Sequence, residues 1–393
     1  MREGWTYKTL EECCDVINGL WTGKKEPFIK VAVIRNTNFS KDCRLKLDDV
    51  AYIDVEAKQF ATRKLKVGDI IIEKSGGSEK QPVGRAVLFD IPNGDYSFSN
   101  FTAALRVKDD VNLNPTFLHK CLYGHYVKGA TLKMQSKTTG LHNLDMKAFL
   151  RLPIPSLPIP EQERIVAELD LLTDIIDKQK TQLKELDTLA SSIFYDMFGN
   201  PVQNEKGWEV KKLGSVLKTT SGGTPSKKHP EYYEGGTIPW INSGDLHQMY
   251  IESVPKHITQ SGIENSSAKL FPKDSVLVAM YGATVGEASI LKIESSTNQA
   301  VCCIFPSKDY KPTFLYSVLK HSQDFFISMA AGGAQPNISQ SIIKDFMLIS
   351  PPLSLQQSFA EKIEAIERQK ANINASIAET QKLFDYTMDK YFG

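Results

Sequence analysis

Residues 161–198 read EQERIVAELDLLTDIIDKQKTQLKELDTLASSIFYDMF, with no proline and no glycine. Apolar residues recur as Ile165, Leu169, Leu172 and Ile176, then Leu183, Leu186, Ala190, Ile193 and Met197, with Gln179 at the polar step between them. The steps alternate between four and three residues, which is a sustained heptad seam. At 1.5 Å per residue the stretch predicts a helix about 57 Å long. Moving 194 residues along gives a second seam in the same phase: Phe359, Ile363, Ile366, Lys370, Ile373, Ile377, Thr380, Phe384, Thr387 and Tyr391. Gly199 and Gly393 stand where a helix stop is expected.

Working outward, the repeat extends over the whole chain. Trp5-Thr6-Tyr7-Lys8-Thr9-Leu10 is answered by Trp208-Glu209-Val210-Lys211-Lys212-Leu213. Leu65 to Ile72 aligns with Leu270 to Leu277, and Val83-Gly84-Arg85-Ala86 with Val285-Gly286-Glu287-Ala288. Pro115-Thr116-Phe117-Leu118 returns as Pro312-Thr313-Phe314-Leu315, Ala148-Phe149 as Asp345-Phe346, and Phe198-Gly199 as Phe392-Gly393. Six matches in one order, with a slowly drifting offset, mark two related halves.

Each half begins with about 150 residues of short β-rich runs and Gly/Pro/Asn turns, such as Ile29–Ile34, Asp69–Ile72 and Ser275–Met280. Phe117 to Val127 and Phe314 to His321 predict short helices. Proline-rich strips at 152–160 and 349–353 predict domain borders, because proline continues neither a ladder nor a helix. The expected fold class is therefore α+β, with an internal pseudo-two-fold repeat. It comprises a globular domain over 1–155, a helix over 156–199, a second globular domain over 200–350 and a helix over 351–393. If the seams pair, the second helix must return toward the first domain, giving an antiparallel pair between two similar heads. Gln179 and Lys370 in the seam would set register at some cost in stability.

Composition narrows the function. With 41% hydrophobic and 24% charged residues among 393, the balance is that of a globular protein. No stretch has the roughly 20 consecutive apolar residues of a membrane helix. No apolar run follows the N-terminus, so no secretory signal is expected. Six cysteines, four of them in the adjacent pairs Cys13-Cys14 and Cys302-Cys303, make neither a disulfide framework nor a Cys-x-x-Cys zinc site. A reducing cytoplasm fits. The net charge of +1 announces no nucleic-acid partner, so such a partner must be read from local patches.

Two similar heads suit a target with two features at fixed spacing, and duplex DNA is the commonest. The candidate contacts in the first head are Lys24, Lys25, Arg35, Asn36, Asn38, Lys74, Ser75, Gly76, Gly77, Arg85, Gln135, Ser136 and Lys137. In the second they are Thr224, Ser226, Lys227, Lys228, Asn242, Ser243, Tyr281, Gly282, Gln335, Asn337 and Ser339. Lysines and glycine amides hold phosphates, while Asn, Gln, Arg and Ser read base edges. Between Pro201 and Ser350 there is no arginine, so the second head must read with Lys, amides, hydroxyls and aromatics. Each of these side chains can equally brace its own loop.

These residues carry a resemblance. Leu157-Pro158-Ile159-Pro160-Glu161-Gln162-Glu163-Arg164-Ile165-Val166-Ala167-Glu168-Leu169-Asp170 resembles the start of the first spacer helix in specificity subunits of type I restriction-modification enzymes. Ser221-Gly222-Gly223-Thr224-Pro225, Ile238-Pro239-Trp240-Ile241 and Gln335-Pro336-Asn337-Ile338-Ser339 resemble their target recognition domains. So does Lys74-Ser75-Gly76-Gly77 with Pro82-Val83-Gly84-Arg85. The first head departs from the pattern, with Gly140-Leu141-His142-Asn143-Leu144 where a Gln-x-Asn-Ile-Ser loop would stand. The resemblance implies two target recognition domains reading the halves of an asymmetric bipartite DNA site, and spacer helices that bind two methyltransferase subunits. It implies S-adenosylmethionine in those subunits, ATP and Mg in restriction/translocase subunits, and no cofactor or catalytic residue in this chain.

Rival readings are an enzyme with an unrecognised active site and a coiled-coil scaffold without DNA specificity. Asn114-Pro115-Thr116-Phe117 falls short of a methyltransferase loop, and its repeat partner begins with Lys311. Gly19-Leu20-Trp21-Thr22-Gly23-Lys24-Lys25 is one residue short of a P-loop. Asp54, Glu56 and Lys58 lack the setting of a metal nuclease, and the seven histidines form no spaced pair. Trp240 reads as a buried residue beneath a loop rather than a base-stacking one.

Overall fold

The computed structural model describes residues 2, 4–78, 81–138, 141–331 and 336–393, without the side chains of Lys137 and Thr138. The chain divides into two compact units. One holds the described residues up to Gln179 together with Ser376–Gly393, and the other holds Lys180–Ala375. Each unit thus takes part of both long helices, Ile159–Phe198 and Leu353–Phe392, each 40 residues long. The first ends at Gly199, whose φ of +72° suits a left-handed cap.

In the first unit a two-stranded ribbon pairs Thr6–Thr9 with Pro153–Ser156. The proline strip expected to lie outside any strand is therefore a strand. The ribbon has only two strands, so the missing N–H groups of Pro153 and Pro155 can face away from the partner. The main sheet has the order Cys14–Asn18, Thr102–Val107, Ile70–Glu73, Ala86–Leu88, all antiparallel. A second sheet pairs Phe28–Ile34 antiparallel with Ala51–Glu56 and parallel with Tyr96–Phe98. The helix Pro115–Val127 begins with proline at its first position and an Asn114 cap.

The second unit repeats this plan. Val210–Lys212 pairs with Met347–Ile349. The main sheet orders Thr219–Ser221, Val301–Ile304, Val276–Ala279, Ala288–Leu291, Tyr250–Ile251. Ile238–Ile241 runs parallel to Ser295–Thr297. The helix Pro312–Lys320 again opens on proline. Hydrogen bonds correct the register of one repeat. Leu291 N bonds Ser275 O at 2.9 Å, as Phe89 N bonds Asp69 O at 2.8 Å, so Asp69 answers Ser275 and Gly68 answers Asp274. Both Gly68 and Asp274 are left-handed, at φ +94° and +67°.

The long helices pack antiparallel in each unit by itself. In the first, Ile165, Leu169 and Leu172 join Phe384, Met388 and Tyr391 in one core, and Ile176 is buried. Tyr391 donates to Glu168 at 2.7 Å, and Gln179 donates to Ser376 Oγ at 2.7 Å. In the second, Phe359, Ile363 and Ile366 are buried with Phe194 and Phe198, and Lys370 bonds Asp187 at 2.8 Å. Leu183, Leu186, Ile193, Ile373 and Ile377 are half-buried. The heptad reading placed Ile193 and Met197 at the seam, yet Phe194 and Phe198 are the fully buried residues there. Their rings meet Phe359 of the facing seam, and Phe198 also meets Phe314 of the globular part, with ring centroids 4.8 Å apart.

One buried amide closes each helix entry. Gln162 accepts from Asn114 N at 2.8 Å and donates to Asn112 O and Leu157 O at 3.0 and 2.8 Å. Gln356 accepts from Lys311 N and donates to Asp309 O and Pro351 O. All six cysteines are unpaired and buried. Among the described residues, no helix is long and apolar enough to cross a membrane.

Candidate nucleic-acid interface

In the first unit the strand Ile70–Glu73 runs out into Lys74-Ser75-Gly76. Ser75–Gly77 pairs with Leu141–Leu144, which pairs in turn with Gln135–Thr138. This ribbon brings Ser75, Gly76, Gln135, Ser136 and Asn143 together. Ser75 donates its hydroxyl hydrogen to Asn143 Oδ1, and Asn36 donates its amide to Ser75 O. Gln135 accepts from Val83 N at 3.2 Å. Lys74 Nζ lies 3.1 Å from Asn18 Oδ1, and partial burial draws the Lys74 pKa below its ordinary value. Gly76 turns the chain at φ +107°.

The second unit builds the same corner from other side chains. Tyr281 and Gly282 stand where Ser75 and Gly76 stand, and Gly282 has φ +76°. Gly282 N bonds Pro336 O at 2.9 Å, and Asn337 bridges both Tyr281 and Ala331. Ile338 N bonds Met280 O at 2.9 Å, as Leu144 N bonds Lys74 O at 2.7 Å. Asn337-Ile338-Ser339 therefore answers Asn143-Leu144-Asp145. Ser339 and Asp145 each cap the helix that follows. At Asn143 and Leu144 the departure is thus a matter of residue type at a shared backbone, while Gly140 lies outside the described residues. Asn143 was absent from the expected contacts. The legible trace of its place is an Asn and an aliphatic residue before a helix cap.

Arg35 and Asn242 also share one place, at the ends of Phe28–Ile34 and Ile238–Ile241. Arg35 N bonds Asn38 Oδ1 at 2.9 Å, and Asn242 N bonds Asp245 Oδ2 at 2.7 Å. The half-exposed Arg35 guanidinium lies 3.4 Å from Asp49. Asn242 Oδ1 accepts from Asn298 at 3.3 Å, so it is braced against its neighbours, and Ser243 is half-buried on the same turn. Thr224 donates to Gln299. Lys24, Lys25, Ser226, Lys227 and Lys228 are exposed on the loops beyond.

Three expected contacts are enclosed. Arg85 is buried, and its Nε and Nη2 grip Glu73 at 2.8 and 2.9 Å while Nη1 donates to Phe39 O at 2.8 Å. Asn38 is buried and donates to Asp49 O at 2.9 Å. Gly77 is buried against Val83. All three are covered by the fold rather than exposed at its surface. Trp240 is buried and donates to Gly223 O at 3.1 Å, as expected for a residue beneath a loop. Gln335 and the side chain of Lys137 lie outside the described residues. The sequence reading also missed aromatics at the first-unit surface: Trp21, Phe28, Tyr52 and Phe101 are exposed.

Residues 2–188 and 205–381 each match the profile of the type I restriction modification DNA specificity domain. The Escherichia coli EcoR124I/EcoR124II specificity subunit is 23% identical over 314 residues, covering 76% of each chain. In fold, the chain is similar to one from a structure of a type I R-M system, with TM-score 0.60, 18% identity and coverage of 100% and 98%. It is likewise similar to the S subunit from M. genitalium, with TM-score 0.59, 13% identity and the same coverage.

Proposed function

The chain belongs to the type I restriction-modification DNA specificity family, with the domain present twice, and from that premise we propose that it reads a bipartite asymmetric site on double-stranded DNA. Each half reads one part through the corner at Ser75-Gly76 and Asn143, or at Tyr281-Gly282 and Asn337. The observation that carries this reading is the same backbone corner built twice from different polar and aromatic side chains. A shared backbone sets the approach to the duplex, and side-chain identity sets the bases read.

In this reading the chain is a non-catalytic subunit. The long helices dock two methyltransferase subunits, which modify adenine with S-adenosylmethionine. Restriction subunits supply ATP- and Mg-dependent translocation and cleavage. Exposed Lys24, Lys25, Lys227 and Lys228 hold phosphates.

The experiment is to map methylated sites in DNA modified by the assembled complex, then repeat with single variants. Asn143→Ala should relax base preference in one half-site only, and Asn337→Ala in the other. Lys227→Ala should weaken binding to all sequences about equally. If the two amide variants also weaken every sequence equally, base reading at these corners is excluded.

A further inference from the structure

Trp21 is 65% exposed, although tryptophan is a residue that folding normally covers. It is not on a free loop. Leu20 before it is buried, bridges Ser99 and bonds Phe98 O at 2.8 Å. Thr22 after it accepts from Glu56 N at 2.9 Å. Gly19 fits only because it lacks a side chain: a Cβ there would come 1.9 Å from Ser99 O. The indole is therefore held out in water by anchored neighbours on both sides.

The adjoining turn presents a second aromatic. Phe101 is 45% exposed, and its carbonyl accepts from Lys74 N at 2.9 Å and Ser75 N at 3.2 Å. The Ser99–Thr102 turn thus joins the Trp21 loop to the polar corner of Lys74, Ser75 and Asn36. Lys24 and Lys25 follow on the same loop, both exposed. Aromatics interleaved with lysines and amides fit the π-faces and phosphates of a nucleic acid. One carboxylate also borders this loop: Glu56 N bonds Thr22 O, and its Oε2 would lie 2.4 Å from a Cβ on Gly23.

The second unit lacks the device. Gly223 N bonds Thr297 O at 2.9 Å, as Leu20 N bonds Phe98 O, so Thr224 stands in the place of Trp21. Met280 N bonds Ala300 O at 2.8 Å, so the buried Ala300 stands in the place of Phe101. We propose that Trp21, supported by Phe101, inserts at a base step of the half-site read by the first unit, so that this half-site alone is recognised partly through unstacking. This rests on the DNA-reading function proposed above. A wedge of this kind favours flexible pyrimidine–purine steps and adds preference at base pairs that no polar side chain touches.

The test uses the full chain assembled with its methyltransferase subunits and a duplex bearing the mapped site. With 2-aminopurine placed in turn at each position other than the adenines the methyltransferases flip out to modify, the wild-type complex should brighten one step in the first half-site and none in the second. Trp21→Ala should abolish that signal and weaken binding about tenfold or more, while Trp21→Phe should restore most of both. Because the side chain is exposed, the thermal midpoint should not move. If Trp21→Ala leaves affinity and fluorescence unchanged while wild type still selects its site, the wedge is wrong and the DNA reading stands. If wild type selects no sequence at all, the reading beneath it fails as well. Should Trp21→Ala instead release the methyltransferase subunits without DNA present, the patch is a protein contact and the wedge is overturned.

Discussion

At the scale of single residues, the first unit contains a buried ion pair that the second does not need. Glu73 and Arg85 answer Ala279 and Glu287, since Gly84 N bonds Glu73 O and Gly286 N bonds Ala279 O, both at 3.0 Å. The pair is therefore not a requirement of the repeated fold. Removing one partner strands the other, so Glu73→Ala should cost about 3–5 kcal/mol, whereas Glu73→Ala with Arg85→Met should recover most of it. Urea unfolding of the three variants checks this; a double variant as unstable as the single one would contradict it. Arg85 shows why the site was only partly legible. Beside Gly84 and within a loop resembling a recognition loop, an arginine reads as a contact, and only the fold reveals the carboxylate behind it. His119 makes a second residue-scale case. Burial holds its pKa down to about 4, and its ring bonds Cys43 O and Ala86 O at 3.1 and 3.2 Å. The unfolded chain takes up that proton near pH 6.5, so the stability involved is complete above about 6.5 and lost as pH falls toward 4. His119→Gln should flatten that slope by up to about 1.4 kcal/mol per pH unit, read from urea midpoints at pH 7, 6 and 5. An unchanged slope would remove His119 from the account.

At the scale of elements, the long helices were the most legible part of the chain, because a heptad period over many turns has no competing reading. What the period could not supply was which neighbours lie outside the seam. Phe194 and Phe198 sit one residue from Ile193 and Met197, and Phe198 turns toward Phe314, a contact that no pattern within the helix announces. The short strands were legible as runs of Val and Ile, but their register was one residue off at Asp69, where only hydrogen bonds to Phe89 and Leu291 decide. Pro153–Ser156 was misread because proline is excluded from central strands, not from a two-stranded ribbon. The helix entries carry their own prediction. Gln162 and Gln356 each satisfy three backbone groups with one buried amide. Gln162→Ala leaves buried donors and acceptors unpaired and should cost about 2–4 kcal/mol, with Gln356→Ala similar. The two substitutions should add, since they lie in separate units. A double variant no less stable than either single one would show that the amides do not act in this way.

At the scale of the whole molecule, the repeat is closer in backbone than in chemistry. Corners, caps and helix entries recur, while Arg85, Trp21 and Phe101 give way to Glu287, Thr224 and Ala300. That is the division expected if the backbone positions two readers and the side chains make them read differently. The halves of each long helix belong to different units, meeting at Gln179/Lys180 and Ala375/Ser376. Seven residues in heptad phase, added after Gln179 and again after Ala375, leave every contact described within either unit intact. The seam keeps its phase because seven residues are one full heptad. If the helices set the unread gap, the variant should methylate a site with the same two half-sites and a longer gap between them. The comparison is the motif methylated by the wild-type and lengthened proteins, each assembled with the same methyltransferase subunits. Half-sites that change while the gap stays fixed would mean that spacing is set elsewhere than in the helices.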